Sequence, residues 1–160
     1  MNGIFKIVLS LTISLLFVFG CQDNPSGPDY SLAPEPYPTE GKTLVEMDNG
    51  LSYYIIEEGS GPFQVVETDI VRIYYTGRKK RNGEIFDSSY RNGSLSPARF
   101  NLTGVIEGMR KGMLGMKIGG KRKLIIPPEL AYADASENSS SYELRNDTLV
   151  FDIKLEDIDS

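Results

Sequence analysis

Apolar and polar residues alternate most regularly near the C-terminal end of the chain, over residues 148–158. Successive side chains of a strand point to opposite faces, so this alternation predicts a strand that buries one face only. The buried face would carry Leu149, Phe151, Ile153 and Leu155. The exposed face would carry Asp152, Lys154 and Glu156.

Shorter runs rich in β-branched and aromatic residues predict four further strands, at residues 51–57, 69–76, 98–102 and 121–126. Asn82 and Gly83 form the pair that is typical of a tight hairpin turn. Pro127 and Pro128 stop the strand before them, because proline cannot donate to a sheet ladder. A polar loop is expected over residues 134–147, before the last strand.

One stretch, residues 105–116, has the period of a helix instead. Its apolar stripe holds Ile106, Met109, Met113 and Met116. Glycines inside the stretch each cost a helix about 1 kcal/mol relative to alanine, and so short a helix is not stable alone in water. We therefore expect it to pack against the sheet. An antiparallel sheet with one exposed face and a helix on the other is an α+β domain.

The first twenty residues are predicted to be a signal peptide. Lys6 is followed by an apolar run that ends at residue 19, which is too short to span a bilayer comfortably. The sequence V-F-G-C at residues 18–21 resembles a bacterial lipoprotein signal, and this implies cleavage before Cys21 and lipidation of that cysteine. An ordinary secretory peptide with an incidental cysteine is the alternative.

Residues 21–43 are expected to form an extended tether. They hold five of the nine prolines and show no hydrophobic period, which favours a partly polyproline spacer. At about 3 Å per residue, such a spacer could hold a domain up to roughly 60 Å from a membrane. The folded domain is then expected over residues 44–160.

Composition excludes several kinds of chemistry. The chain has no histidine, which excludes His general bases, Ser-His and Cys-His pairs and His-ligated metals. Its single cysteine excludes an internal disulfide and any multi-cysteine zinc site. The formal net charge is −5, and no basic face suggests nucleic acid. We therefore expect no metal, no other cofactor and no nucleic-acid partner.

Five motifs follow one another along the expected domain: Y-Y-T-G (74–77), G-E-I-F-D-S-S (83–89), G-V-I-E-G-M (104–109), P-P-E-L-A-Y (127–132) and T-L-V-F-D-I-K-L (148–155). Together they resemble the FKBP-type peptidyl-prolyl cis-trans isomerases. The leader at residues 50–61 is similar to that of the bacterial envelope members. The resemblance implies a twisted antiparallel β-sheet wrapped around one short α-helix, with an apolar pocket between them.

The resemblance assigns nine residues to that pocket. Tyr132 and Asp87 are expected to be catalytic, Tyr132 through a hydrogen bond to a substrate carbonyl and Asp87 through electrostatic support of a twisted imide. The expected proline-binding residues are Tyr75, Phe86, Phe100, Val105, Ile106, Met109 and Phe151. For Phe100 and Phe151, packing in the core is the alternative to substrate contact.

The chain departs from the family pattern at four places. Met109 stands where the family often has tryptophan at the pocket floor, and Ala133 stands where it usually has glycine. Residues 142–145 replace an apolar Ile-Pro-Pro loop tip. The arginine that usually pairs with the aspartate of F-D-S-S is displaced, and Arg91 is the nearest candidate for that pairing with Asp87.

The resemblance implies an enzyme that isomerises X-Pro bonds and assists the folding of exported proteins. The alternative is a non-catalytic chaperone or binding module for Pro-containing chains. We expect a monomer whose partners are X-Pro segments of unfolded or folding exported proteins, with membrane contact through the N-terminal lipid only. The expected location is the bacterial cell envelope, at the outer membrane and facing the periplasm.

Overall fold

The structure, a computed structural model, describes residues 27–159. The predicted signal peptide, Cys21 and the first residues of the expected tether lie outside this range. The strands are β1 (Thr43–Glu46), β2 (Ser52–Glu57), β3 (Ile70–Lys79), β4 (Ile85–Ser88), β5 (Ala98–Asn101), β6 (Lys121–Ile126) and β7 (Leu149–Asp159), and the helix is α1 (Glu107–Met113). All five predicted strands are confirmed. None of the described helices is long and apolar enough to cross a membrane.

The strands form one antiparallel sheet in the order β1-β2-β6-β7-β3-β4, with β5 also paired to β3. β3 pairs with β5 through residues 70–73 and with β4 through residues 76–78. These two short strands therefore lie end to end along the side of β3 that faces away from β7. The predicted hairpin turn joins β3 to β4, where Gly83 has φ of +75°. The predicted fold class is confirmed.

The helix is shorter than the sequence predicts and lies directly on β6. Its glycines have a steric reason: a Cβ on Gly108 would lie 2.3 Å from a methyl of Ile126, and one on Gly112 would lie 2.7 Å from a methyl of Leu124. Real Cβ atoms essentially never come so close to a neighbour. The two glycines therefore lower the helix propensity of α1, but they allow it to pack closely on the sheet.

The end of α1 is fixed by backbone geometry and by one arginine. Leu114 has an extended backbone and Gly115 has φ of +74°, so the helix cannot continue to Met116 as predicted. The guanidinium of Arg122 donates to the carbonyl oxygens of Gly112 (2.7 Å) and Leu114 (2.9 Å). These carbonyls would otherwise lack partners at the helix end.

The apolar face of β7 is buried as predicted, with Leu149, Phe151, Ile153 and Leu155 at 4% exposure or less. Its other face differs from the prediction at Asp152, which is 3% exposed rather than open to water. Arg78 and Lys123 reach the Asp152 carboxylate at 3.0 and 2.6 Å. A carboxylate buried so deeply needs charged partners of this kind.

An N-terminal segment covers this polar face. The Arg78 guanidinium also donates to the Pro34 carbonyl oxygen at 2.7 Å, and the Tyr37 amide donates to Asp152 at 3.3 Å. We call residues 29–37 the strap. The structure differs here from the expected spacer over residues 21–43, because the strap is bound to the sheet by hydrogen bonds. The strap also contains a turn, in which the Ala33 amide donates to the Tyr30 carbonyl oxygen at 2.9 Å.

Candidate active site

A cavity of about 210 Å³ lies between the concave face of the sheet and α1. All nine residues assigned to the pocket from the sequence line it, and Gly104 is the tenth. The predicted residues are Tyr75, Phe86, Asp87, Phe100, Val105, Ile106, Met109, Tyr132 and Phe151. The structure thus brings together side chains that are up to 76 positions apart in the sequence, from Tyr75 to Phe151.

The sheet supplies the aromatic wall of the cavity. Tyr75 stands on β3, Phe86 on β4, Phe100 on β5 and Phe151 on β7. Gly77, two residues after Tyr75 in the Y-Y-T-G motif, makes room for this wall. A Cβ at Gly77 would lie 2.7 Å from the Phe86 ring and 2.9 Å from the Phe151 ring.

The aromatic rings contact one another mainly edge to face. The Tyr75 ring centroid is 5.5 Å from that of Phe100, and the Phe86 and Phe151 centroids are also 5.5 Å apart. The interplanar angles are 70° and 87°, the geometry that aromatic quadrupoles prefer. Phe151 is 4% exposed and borders the cavity, so its ring packs in the core and can also contact a ligand.

The helix side supplies the aliphatic part of the cavity. Met109 lies in the first half of α1 and is 5% exposed, while Val105 and Ile106 lead into the helix with extended backbones. Gly104 ends a single helical turn, Leu102–Gly104, just before them. Gly104 belongs to the G-V-I-E-G-M motif, so that motif was the signal by which the residue could have been found.

Asp87 is held by two hydrogen bonds. The Tyr75 hydroxyl donates to its Oδ2 at 2.6 Å, and the Ser88 amide donates to its Oδ1 at 2.9 Å. Burial raises the pKa of Tyr75, and the bond to Asp87 raises it further. Tyr75 therefore stays a neutral donor. Its role as the partner of Asp87 was not predicted, since the sequence analysis assigned it only to proline binding.

Arg91 does not take the expected role of counterion to Asp87. None of the ion pairs found within residues 27–159 joins these two side chains. Both border a second cavity, of about 270 Å³, together with Tyr132, Ser140 and Ser141. Asp87 is the one ionised side chain among the ten residues that line the main cavity.

Tyr132 follows a single helical turn, Pro128–Leu130, and is half-buried at the rim of the cavity. Burial raises the pKa of Tyr132, the charge of Asp87 adds to the rise, and the Ser141 hydroxyl opposes it. The side chain is therefore a neutral hydroxyl donor at physiological pH. Beyond it, the altered loop forms the turn Tyr142–Leu144, in which Leu144 is buried and Arg145 stacks on the Tyr142 ring at 3.7 Å.

Sequence reasoning missed one residue that reaches the site from outside the domain expected at 44–160. The Tyr30 hydroxyl donates to the Phe86 carbonyl oxygen at 2.9 Å. Tyr30 stands in the proline-rich segment, which has no period and no motif, so the sequence held no signal for this contact.

A single antiparallel sheet that curls over one short helix and encloses an aromatic cavity with one carboxylate defines an FKBP-like domain. The family model described as FKBP-type peptidyl-prolyl cis-trans isomerase matches residues 61–156. The chain belongs to this family. The matched range contains every residue of the cavity.

Curated relatives and solved structures agree with this assignment. A probable FKBP-type peptidyl-prolyl cis-trans isomerase of Haemophilus influenzae is 38% identical over 119 residues, which are 74% of this chain and 47% of that protein. FkpA of Escherichia coli K12 is 42% identical over 117 residues, 73% of this chain and 41% of that protein. The crystal structure of Escherichia coli FkpA has a TM-score of 0.61 at 36% identity, covering 80% of this chain and 54% of that one.

The structure of AtFKBP13 has a TM-score of 0.59 at 34% identity and covers 71% of this chain and 96% of that one. By contrast, the chain spans less than half the length of the two curated relatives above. The similarity therefore concerns the isomerase domain that these proteins share.

Proposed function

We propose that this protein is a peptidyl-prolyl cis-trans isomerase that binds X-Pro segments in the cavity between the sheet and α1. The observation that carries the proposal is the convergence of five aromatic rings, three aliphatic side chains and one carboxylate on a single cavity of about 210 Å³. Membership of the isomerase family supports the same activity.

The chemistry follows from the electronic structure of the imide. Resonance gives the C–N bond double-bond character and places negative charge on the carbonyl oxygen, with a rotation barrier of about 18–20 kcal/mol. Water stabilises that charge in the planar form. An apolar cavity excludes water, so the planar form loses more stabilisation than the twisted transition state. Rotation then needs no covalent intermediate.

Two polar groups would act on the bound segment. Tyr132, a neutral donor at the rim, would donate a hydrogen bond to a substrate carbonyl. Asp87 would stabilise the twisted imide by its charge, and the Tyr75 hydroxyl at 2.6 Å would hold the carboxylate in place. A preoriented charge of this kind needs no reorganisation during the reaction.

The test uses the full chain, purified in detergent, and an X-Pro peptide whose cis-to-trans relaxation otherwise takes tens of seconds. The protein should accelerate relaxation, and Phe86→Ala should lose most of the acceleration. Phe63→Ala is the matched control, since this ring is 71% exposed and lines no part of the cavity. A folded protein that binds the peptide without accelerating relaxation would support a non-catalytic binding module instead.

We further propose that the protein is a lipoprotein of the bacterial envelope, anchored through Cys21 and acting on exported proteins in the periplasm. The support is the signal-like residues 1–20 and the position of the single cysteine directly after them. More than one acyl chain would be needed for stable anchoring. Labelled fatty acid should enter the wild-type protein and not Cys21→Ser; equal labelling of both would exclude this anchor.

A further inference from the structure

We propose that Tyr30 is a positioning residue for the active site: through the Phe86 carbonyl, it holds the strand that carries Phe86 and Asp87. The inference rests on the proposed isomerase function for its consequence on turnover. Its structural part, the fixing of β4 by the strap, stands on the geometry alone.

The first observation is that β4 is a weakly held strand. It has four residues, lies at the end of the sheet order and, within residues 27–159, pairs with β3 alone. The ladder is also interrupted: Asp87 faces Gly77 and Ile85 faces Arg78, so Phe86 is an extra residue without a partner in β3. Such a bulge redirects a side chain at the expense of pairing. Here the redirected side chain is the Phe86 ring that lines the cavity.

The second observation is that the strap supplies the missing partner. The Tyr30 hydroxyl reaches the Phe86 carbonyl oxygen at 2.9 Å from a segment 56 residues earlier in the chain. A half-buried carbonyl at a bulge gains a hydrogen bond in this way, and the strand gains a second point of attachment. Tyr30 then holds the peptide group that precedes Asp87, and the Tyr75 hydroxyl holds the Asp87 carboxylate.

The third observation is that Tyr30 is itself held on both sides. Asp29 and Asn92 exchange two hydrogen bonds, from the Asn92 amide to the Asp29 carbonyl at 2.7 Å and from the Asp29 amide to the Asn92 side chain at 3.0 Å. Further along, Pro34 is bound by Arg78 at 2.7 Å. These contacts hold the backbone on both sides of Tyr30, so less backbone freedom remains to be lost when its hydroxyl bonds to Phe86.

The test compares Tyr30→Phe with Tyr54→Phe in the full chain in detergent. Each change deletes one hydroxyl, and Tyr54 stands on β2, which three other strands separate from β4 in the sheet order. Three quantities are measured: kcat/KM per folded molecule, the Kd of an X-Pro peptide, and amide hydrogen exchange at residues 85–89. A hydrogen bond of ordinary net strength corresponds to about a two- to tenfold effect.

We expect Tyr30→Phe to speed exchange at residues 85–89 and to lower kcat/KM, each by about two- to tenfold, with a smaller rise in Kd. Tyr54→Phe should change none of the three. The fall in kcat/KM should exceed the rise in Kd because Asp87 is proposed to act on the twisted imide. A purely structural role would lower the folded fraction and leave the activity per folded molecule unchanged.

Unchanged exchange in Tyr30→Phe would overturn the inference, and so would faster exchange with unchanged kcat/KM and Kd. A folded wild type without isomerase activity would overturn the proposed function instead. In that case the exchange rate and the peptide Kd of Tyr30→Phe still test the role of Tyr30. An increase in both supports its positioning role, and the lack of an increase in one or both refutes it.

Discussion

Replacing Gly112 by alanine separates two opposing effects that the structure assigns to one position. Alanine favours a helix over glycine by about 0.8–1.0 kcal/mol, so propensity alone predicts stabilisation. The new Cβ would lie 2.7 and 2.9 Å from the two end methyls of Leu124, however. Leu124 is fully buried, so it has no open space into which to rotate.

Overpacking of this kind typically costs about 1–3 kcal/mol. After the gain in propensity is subtracted, Gly112→Ala should lower the free energy of unfolding by up to about 2 kcal/mol. Gly104→Ala is the control, because a Cβ there meets no atom within 4 Å. It should be neutral or slightly stabilising, since alanine reduces the entropy of the unfolded chain.

Urea unfolding followed by far-ultraviolet circular dichroism measures both variants against wild type. Gly104→Ala shows the effect of the residue exchange where no atom obstructs the new Cβ. In a Leu124→Ala background, Gly112→Ala should become stabilising, because the methyls that obstruct it are gone. If Gly112→Ala stabilises the protein with Leu124 in place by the full helix propensity of about 0.8–1.0 kcal/mol, α1 does not lie on β6 as described.

Three further outcomes are expected. Phe151→Ala should lower the free energy of unfolding by about 3–5 kcal/mol in urea melts, because it removes a buried ring; a variant as stable as wild type contradicts that burial. Tyr132→Phe should leave the melting temperature nearly unchanged and lower turnover several-fold. Asp87→Ala should lower turnover more than peptide affinity. It should also lower the free energy of unfolding by about 1–3 kcal/mol, because the buried Tyr75 hydroxyl loses its acceptor. Normal activity per folded molecule in both would refute their assignment to the site. Burial raises the pKa of Tyr37 from 10.0 to about 12, and the charge of Asp152 adds to the rise. The folded state therefore favours the neutral phenol. The resulting contribution of Tyr37 to the free energy of unfolding is complete below pH 10 and is lost as the pH rises through about 12. Tyr37→Phe should therefore lessen the alkaline loss of stability, and the phenolate absorbance missing from that variant should titrate near 12; titration near 10 would mean that the strap is not bound.

The parts of the fold that follow from local pattern were predictable. Alternation along β7 identified its buried face because one side of that strand is buried in the core from Leu149 to Leu155. The cavity residues were accessible for a different reason. They occur in short motifs whose order along the chain matches a known family, so their convergence did not have to be worked out from the sequence.

The sequence predictions were wrong or incomplete where a residue's neighbours come from a distant segment of the chain. The alternation of β7 places Asp152 on the exposed face. It is buried because the strap lies over it, and Arg78 and Lys123 form ion pairs with its carboxylate. The Tyr75–Asp87 bond was missed for a similar reason. Each residue was recognised in its own motif, but the 2.6 Å contact depends on the register and bulge of two strands.

The strap was the hardest feature to predict because two of its contacts with the sheet use its backbone groups, which every residue type offers. Arg78 binds the Pro34 carbonyl and Asp152 binds the Tyr37 amide, so no side-chain pattern marks them. The bound strap also shortens the part of the chain that can act as a free tether. If Cys21 carries the lipid, Asp29 lies eight positions after it, and a chain of that length spans at most about 25–30 Å. The domain would then stay much nearer the membrane than the roughly 60 Å expected of a free spacer. Moving farther away would require the strap to detach from the sheet, and that would break the bond between Tyr30 and Phe86.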